Sequence, residues 1–162
     1  MKRILALIDF SDVTPAVVRI ARDMASAFNC ELMMTHVAES DSDFNDNDVQ
    51  QDISPQAVAI RSHHREMEIL SLAMKKEGIN VVTQIVQVNS PRYSVAGKIL
   101  QELARLSADL IVVGSHGHGR LHQFLVGSVT DTVVRKTACP VLVVPSRPPL
   151  APIAMATRAP GV

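Results

Sequence analysis

The sequence predicts an α/β fold, a three-layer sandwich built on a five-stranded parallel sheet. Short apolar runs alternate with longer segments of helical periodicity throughout residues 1–146, the pattern of strands covered on both faces and joined by crossover helices. The helical segments open on Thr-Pro, Ser-Pro or Gly-Ser signals, which are helix starts. A chain of 162 residues with 47% apolar residues suffices for one domain around one sizeable core.

Ile4 to Ile8 is the first apolar run, and it stops at Asp9. After a turn at Phe10-Ser11-Asp12, Thr14 reads as an N-cap and Pro15 as the first helical position. Val17, Ile20, Ala21, Met24 and Phe28 then recur at helical spacing. Leu32 to Val37 is the second strand. From Ala38 to Ile53 acidic residues accumulate (Glu39, Asp41, Asp43, Asp46, Asp48, Asp52) without a basic one, which predicts a solvated loop. Ser54-Pro55 opens a second helix carrying Ile60, Met67, Leu70 and Met74, and Gly78 ends it.

Val81 to Val88 is a strand interrupted by Gln84 and Gln87, which suits a partly exposed edge. A turn at Asn89-Ser90-Pro91 leads to a helix with Val95, Ile99, Leu100, Leu103 and Leu106 on one face. Leu110 to Val113 is the fourth strand, stopped by Gly114. The fourth helix runs from Ser128 to about Ala138, and Val141 to Val144 is the last strand, bracketed by Pro140 and Pro145. Residues 147–162 contain four prolines and no periodicity, as expected of an extended or disordered tail.

Right-handed crossovers leave few arrangements of these elements. With the fourth and fifth strands wound opposite to the first three, the order is 3-2-1-4-5. Its switch point then lies between strands one and four, where ligands of such sheets bind. Asp9 and Gly114 stand at that point. The last strand would be an unguarded apolar edge, which predicts a homodimer through Val141 to Val144.

Sixteen basic and sixteen acidic residues cancel, so the charge needed for non-specific nucleic-acid binding is missing. Cys30 and Cys139 are the only cysteines; they form neither a disulfide framework nor a metal knuckle and read as buried small hydrophobes in a reducing compartment. No run has the length of a signal peptide or a membrane span. The expectation is a cytoplasmic protein that does not engage a membrane.

The strongest motif is Gly-x-x-Gly-x9-Gly-Ser at Gly114, Gly117, Gly127 and Ser128. Glycines let the backbone approach phosphate oxygens, and a helix N-terminus offers unpaired amides. Ser128 followed by Asp131 also fits a capping box. His116, His118 and His122 lack a carboxylate or cysteine at ligand spacing and read as polar lining of a phosphate site rather than zinc ligands. Asp41-x-Asp43-x-Asn45 with Asp52 echoes a calcium loop but lacks its glycine and its terminal glutamate; an acidic solvated loop is the better reading. There is no Walker lysine and no nucleophile elbow, so binding is better supported than turnover.

With these residues in place, residues 1–146 resemble the universal stress protein family, and the glycine-serine spacing resembles that of its ATP-binding branch. The strand ends IDFSD and HV and the closing ACPVLVVP match as well. The resemblance implies an adenine nucleotide α-hydrolase-like, Rossmann-like fold and a bound adenine nucleotide: ATP, or AMP or ADP. It implies that Asp9 lies by the nucleotide, beside Ile8, and is the residue that would carry a magnesium ion through ATP. Val37 would meet the adenine through its backbone. Gly114, Gly117, Gly127, Ser128, Val129 and Thr130 would hold ribose and phosphates, with Val113, His116 and His118 beside them. The family often has Gly-x-Pro after strand three, where this chain has Asn89-Ser90-Pro91; asparagine tolerates the left-handed turn.

The function so implied is that of an ATP-binding stress-response regulator, a dimer whose nucleotide occupancy modulates a protein partner. The alternatives are a slow ATPase or phosphotransferase acting on nucleotides, and a scaffolding dimer without a ligand.

Overall fold

The computed structural model describes residues 1–39, 55–88, 94–115 and 127–146. Nine elements follow one another in these segments: β1 (Arg3–Ile8), α1 (Thr14–Phe28), β2 (Glu31–Glu39), α2 (Pro55–Lys76), β3 (Val81–Val88), α3 (Val95–Leu106), β4 (Leu110–Gly114), α4 (Ser128–Lys136) and β5 (Val141–Val144). All strand pairs are parallel, and the sheet order is β3-β2-β1-β4-β5, the expected 3-2-1-4-5.

Side chains alternate across the sheet, as a two-residue period requires. Ile4, Ala6 and Ile8 of β1 join Leu32 and Met34 in one core layer with Val17 and Ala21 of α1 and Met67 and Met74 of α2. Leu5 and Leu7 point the other way, to Ile99 and Leu103 of α3 and Val133 of α4. Helices therefore cover both faces. Burying each aliphatic side chain such as Ile4, Leu32 or Ile111 contributes about 1.5–3 kcal/mol, and all three are fully buried.

Helix ends follow local chemistry. Asn29 and Ser107 take the left-handed conformation at φ 48° and 49° to end α1 and α3. Gly78, at φ 80°, ends α2 while the Ile79 amide donates to Met74, a glycine-type C-terminal turn. Ser94 caps α3 by accepting the Gly97 amide at 3.1 Å.

Several expectations are corrected. The N-cap of α1 is Val13, not Thr14; the Thr14 hydroxyl is drawn instead to Asp9. Phe28 is 53% exposed, because the last turn of α1 runs past the beginnings of β1 and β2, where the sheet ends. β2 continues beyond Val37 because Ala38 and Glu39 still pair with Gln87 and Val88. The last helix stops at Lys136, since Thr137 is extended. Cys139 is only half-buried. The turn at Asn89-Ser90-Pro91, most of the acidic loop and the proline-rich tail lie outside the described residues. Among the described residues, no helix is long and apolar enough to cross a membrane.

Candidate nucleotide site

The centre of the sheet opens at its carboxyl end. The β1–β4 ladder has its last pair at Ala6 and Val112, after which the two chains part. β1 stays with β2 only as far as Ile8 and His36, whereas β2 remains paired with β3 to Glu39. Beyond His36, no described strand pairs with the β1-facing edge of β2. This is the crevice of a topological switch point, and Val37 is the first residue along that edge.

The β1 side of the crevice carries Asp9. Its Oδ1 accepts three hydrogen bonds: from the Ser11 amide at 3.0 Å, the Ser11 hydroxyl at 2.7 Å and the Thr14 hydroxyl at 2.9 Å. The residue between, Phe10, is left-handed at φ 58°, a conformation that costs a residue with a Cβ about 1–3 kcal/mol. The Asp9 turn offsets that cost, and so does ring packing. Phe10 stacks on His63 of α2 at 4.2 Å between centroids and meets the edge of His36 at 4.8 Å. Buried His36 donates from Nδ1 to the Ile8 carbonyl at 2.7 Å, so the end of β1 is held from both sides.

The β4 side carries the start of α4. Gly127, not Ser128, is the N-cap: it is extended (φ −68°, ψ 156°), and its carbonyl accepts the Asp131 amide at 2.8 Å. The capping box expected of Ser128 and Asp131 therefore does not form. Asp131 turns instead to Arg135 at 2.8 Å. Ser128 is left exposed at the first helical position, and its hydroxyl is not consumed by capping. The amides of Ser128, Val129 and Thr130 make the first turn, whose N–H groups have no acceptor inside the helix and sit at the positive end of its dipole.

Two bonds pin this helix start to the end of β4. The Gly127 amide donates to Ser115 at 2.6 Å, and the Thr130 hydroxyl donates to Gly114 at 2.7 Å. Thr130 is 4% exposed, so its side chain is a brace and only its amide is placed for a ligand. Val113 is buried against the α3–α4 layer. The structure thus brings Ile8, Asp9, Val37, Val113, Gly114, Gly127, Ser128, Val129 and Thr130 to the carboxyl end of one sheet. His116, Gly117 and His118 lie outside the described residues, as does His122.

Sequence reasoning missed Ser11, Thr14, His36 and Ser115 as parts of this corner. For Ser11 a signal existed, since Asp followed by Ser two residues later is a turn in which the carboxylate bonds the chain ahead. A second concavity, of about 720 Å³, lies at the opposite pole of the sheet, bordered by Lys2, Asn29, Glu31, Glu77 and Asn80. It contains none of the residues singled out by the motif, and the crevice rather than this groove is the better candidate. Among the described residues no group of three His, Cys, Asp or Glu side chains is placed to hold a metal ion.

Comparison with known proteins agrees with this architecture. Residues 1–145 match the model of the universal stress protein family. The chain is 28% identical over 153 residues to universal stress protein MJ0531 of Methanocaldococcus jannaschii, covering 88% of this chain and 81% of that one. Among solved structures, a universal stress protein family member from Burkholderia pseudomallei superposes with a TM-score of 0.67 at 23% identity, covering 90% of this chain and 96% of its own. A universal stress protein in complex with cAMP superposes at 0.62 and 21% identity, covering 88% and 95%. One from Archaeoglobus fulgidus in complex with dAMP superposes at 0.60 and 19% identity, covering 88% and 96%. At these identities the structures speak for the fold, and the family match speaks for membership. This chain belongs to the universal stress protein family.

Proposed function

We propose that the protein is an ATP-binding regulator of a stress response, a homodimer whose nucleotide occupancy changes the surface shown to a protein partner. The observation that carries this reading is the parting of β1 and β4 after Ala6 and Val112, directly beside an α4 N-terminus pinned to β4 through Gly127 and Ser115. First-turn amides, an exposed Ser128 hydroxyl and the open β2 edge at Val37 are the donors that phosphates and an adenine edge require. Family members in complex with cAMP and dAMP support an adenine nucleotide as the ligand class.

ATP fits this donor set, with ADP and AMP as shorter versions of the same ligand. Asp9 is the one carboxylate of the set and would hold magnesium through the bound phosphates, an ion that keeps most of its waters and needs few protein ligands. Binding rather than turnover is the preferred chemistry. The Asp9 Oδ1 atom is already engaged by three donors, which suits a positioned carboxylate better than a general base. The homodimer is proposed through β5, which lies at the sheet edge and presents no charged residue to guard it; light scattering at micromolar concentration tests it.

The test of binding is substitution of Gly117 and Gly127 with valine. Gly127 has a negative φ, so valine there is compatible with the backbone. ATP binding measured by calorimetry should be lost while circular dichroism and dimer mass are kept. Unchanged affinity would remove the reading. Sustained phosphate release that disappears in Asp9→Asn would instead favour a slow ATPase.

A further inference from the structure

Ser115 follows the last residue of β4, is 6% exposed, and has among its bonds three that lead to different parts of the chain. Its amide donates to the Val144 carbonyl at 2.7 Å, extending the β4–β5 ladder one step past Gly114 and Val144. Its carbonyl accepts the Gly127 amide at 2.6 Å, which closes the base of the segment between Ser115 and Gly127. Its hydroxyl accepts the Ser146 amide at 3.0 Å. Pro145 has no amide to donate, so Ser146 carries the first amide after β5, and the ladder does not hold it. A side chain does.

We infer that Ser115 is a positioning residue through which the chain leaving β5 sets the affinity of the phosphate site for its nucleotide. The inference rests on the nucleotide-binding reading above. Accepting the Ser146 amide ties the chain leaving β5 to the residue that follows β4, so a pull on Ser146 is a pull on the Ser115 backbone. The carbonyl of the same residue fixes Gly127, and Gly127 fixes the direction of the first-turn amides of α4. An anion site made of backbone amides depends on that direction, because its donors cannot swing independently as side chains do. Any event that draws Ser146 away from Ser115, such as capture of the C-terminal segment by a partner or rearrangement at the β5 edge, weakens nucleotide binding. By linkage, bound nucleotide resists that event by the same factor. The bond therefore joins the proposed dimer edge and the root of the C-terminal segment to the proposed ligand site.

The test uses the full chain, ATP as the titrant, and the variants Ser115→Ala, Ser146→Pro and their combination. Each single change deletes the same hydrogen bond from a different end, and each is expected to weaken ATP binding about five- to tenfold, the usual worth of one such bond. The double variant should bind no more weakly than the weaker of the two single ones. Unfolding midpoints without ligand should stay within about 3 °C of the parent, because water replaces the partner of exposed Ser146. A purely structural Ser115 would move the midpoint and leave affinity alone; that result, wild-type affinity in both single variants, or multiplied effects in the double variant, overturns the inference. If the parent protein binds no ATP, the nucleotide reading fails on its own. The positioning is then judged by amide hydrogen exchange in the free protein: faster exchange at Gly127 and residues 128–130 in both variants upholds it, and unchanged exchange overturns it.

Discussion

The hydroxyl of Thr130 donates to the carbonyl of Gly114 at 2.7 Å, tying the first turn of α4 to the last residue of β4 across sixteen positions of sequence. Replacing Thr130 with the isosteric valine removes the donor and leaves a partly buried carbonyl without it. The expected cost is about 1–2 kcal/mol of stability by urea denaturation, together with weaker ATP binding. Stability equal to the parent would show that the brace contributes nothing.

Asp9 organises the β1 side in the same way. Asp9→Ala abandons three donors at once and removes the turn that supports left-handed Phe10. A loss of about 2–4 kcal/mol is expected in thermal or chemical unfolding. Asp9→Asn keeps an acceptor oxygen and should lose less than half as much. Equal losses in the two variants would mean that charge rather than hydrogen bonding holds the turn.

Asp109 clamps the start of the sheet, its carboxylate accepting the amides of Lys2 and Arg3. These two bonds, the Lys2 amide first, hold its pKa below the ordinary 3.8. The native state therefore binds fewer protons than the unfolded chain, so the contribution is present above the unfolded pKa and is lost as pH falls through the folded one. The difference in unfolding midpoint between parent and Asp109→Asn should be constant near neutrality and should close below about pH 4. A difference that widens on acidification would contradict the assignment.

Burial raises the thiol pKa of both cysteines, and the Cys139 thiol also donates to the Ala108 carbonyl at 3.1 Å. Both should resist iodoacetamide at pH 7 in the folded protein, with buried Cys30 slower than half-buried Cys139. Mass spectrometry of the alkylated chain measures this directly, and native-state labelling at the rate of free cysteine would refute it.

Much of the architecture was legible because it is written in patterns with one physical cause. A run such as Ile4 to Ile8 has to be covered on both faces, and Gly114 after Leu110–Val113 marks where such a strand stops. The exact helix starts were less legible. Gly127 and Ser128 are both acceptable N-caps, and only the carbonyl that accepts Asp131 decides between them. Phe28 has the right periodicity, yet periodicity does not say where the sheet beneath it ends. Within the site, Asp9 and the glycines stood out by type, whereas Ser115 did not. Its partner Ser146 is thirty-one positions away, and nothing local to either serine announces the pairing.

A titration of isotope-labelled protein with ATP, followed by amide NMR shifts, locates the nucleotide. Saturable shifts are expected at Asp9, Val37, Gly114 and residues 127–130. Shifts confined to Lys2, Asn29, Glu31 and Asn80 at the opposite pole, or no saturable shifts at all, would contradict the proposed site.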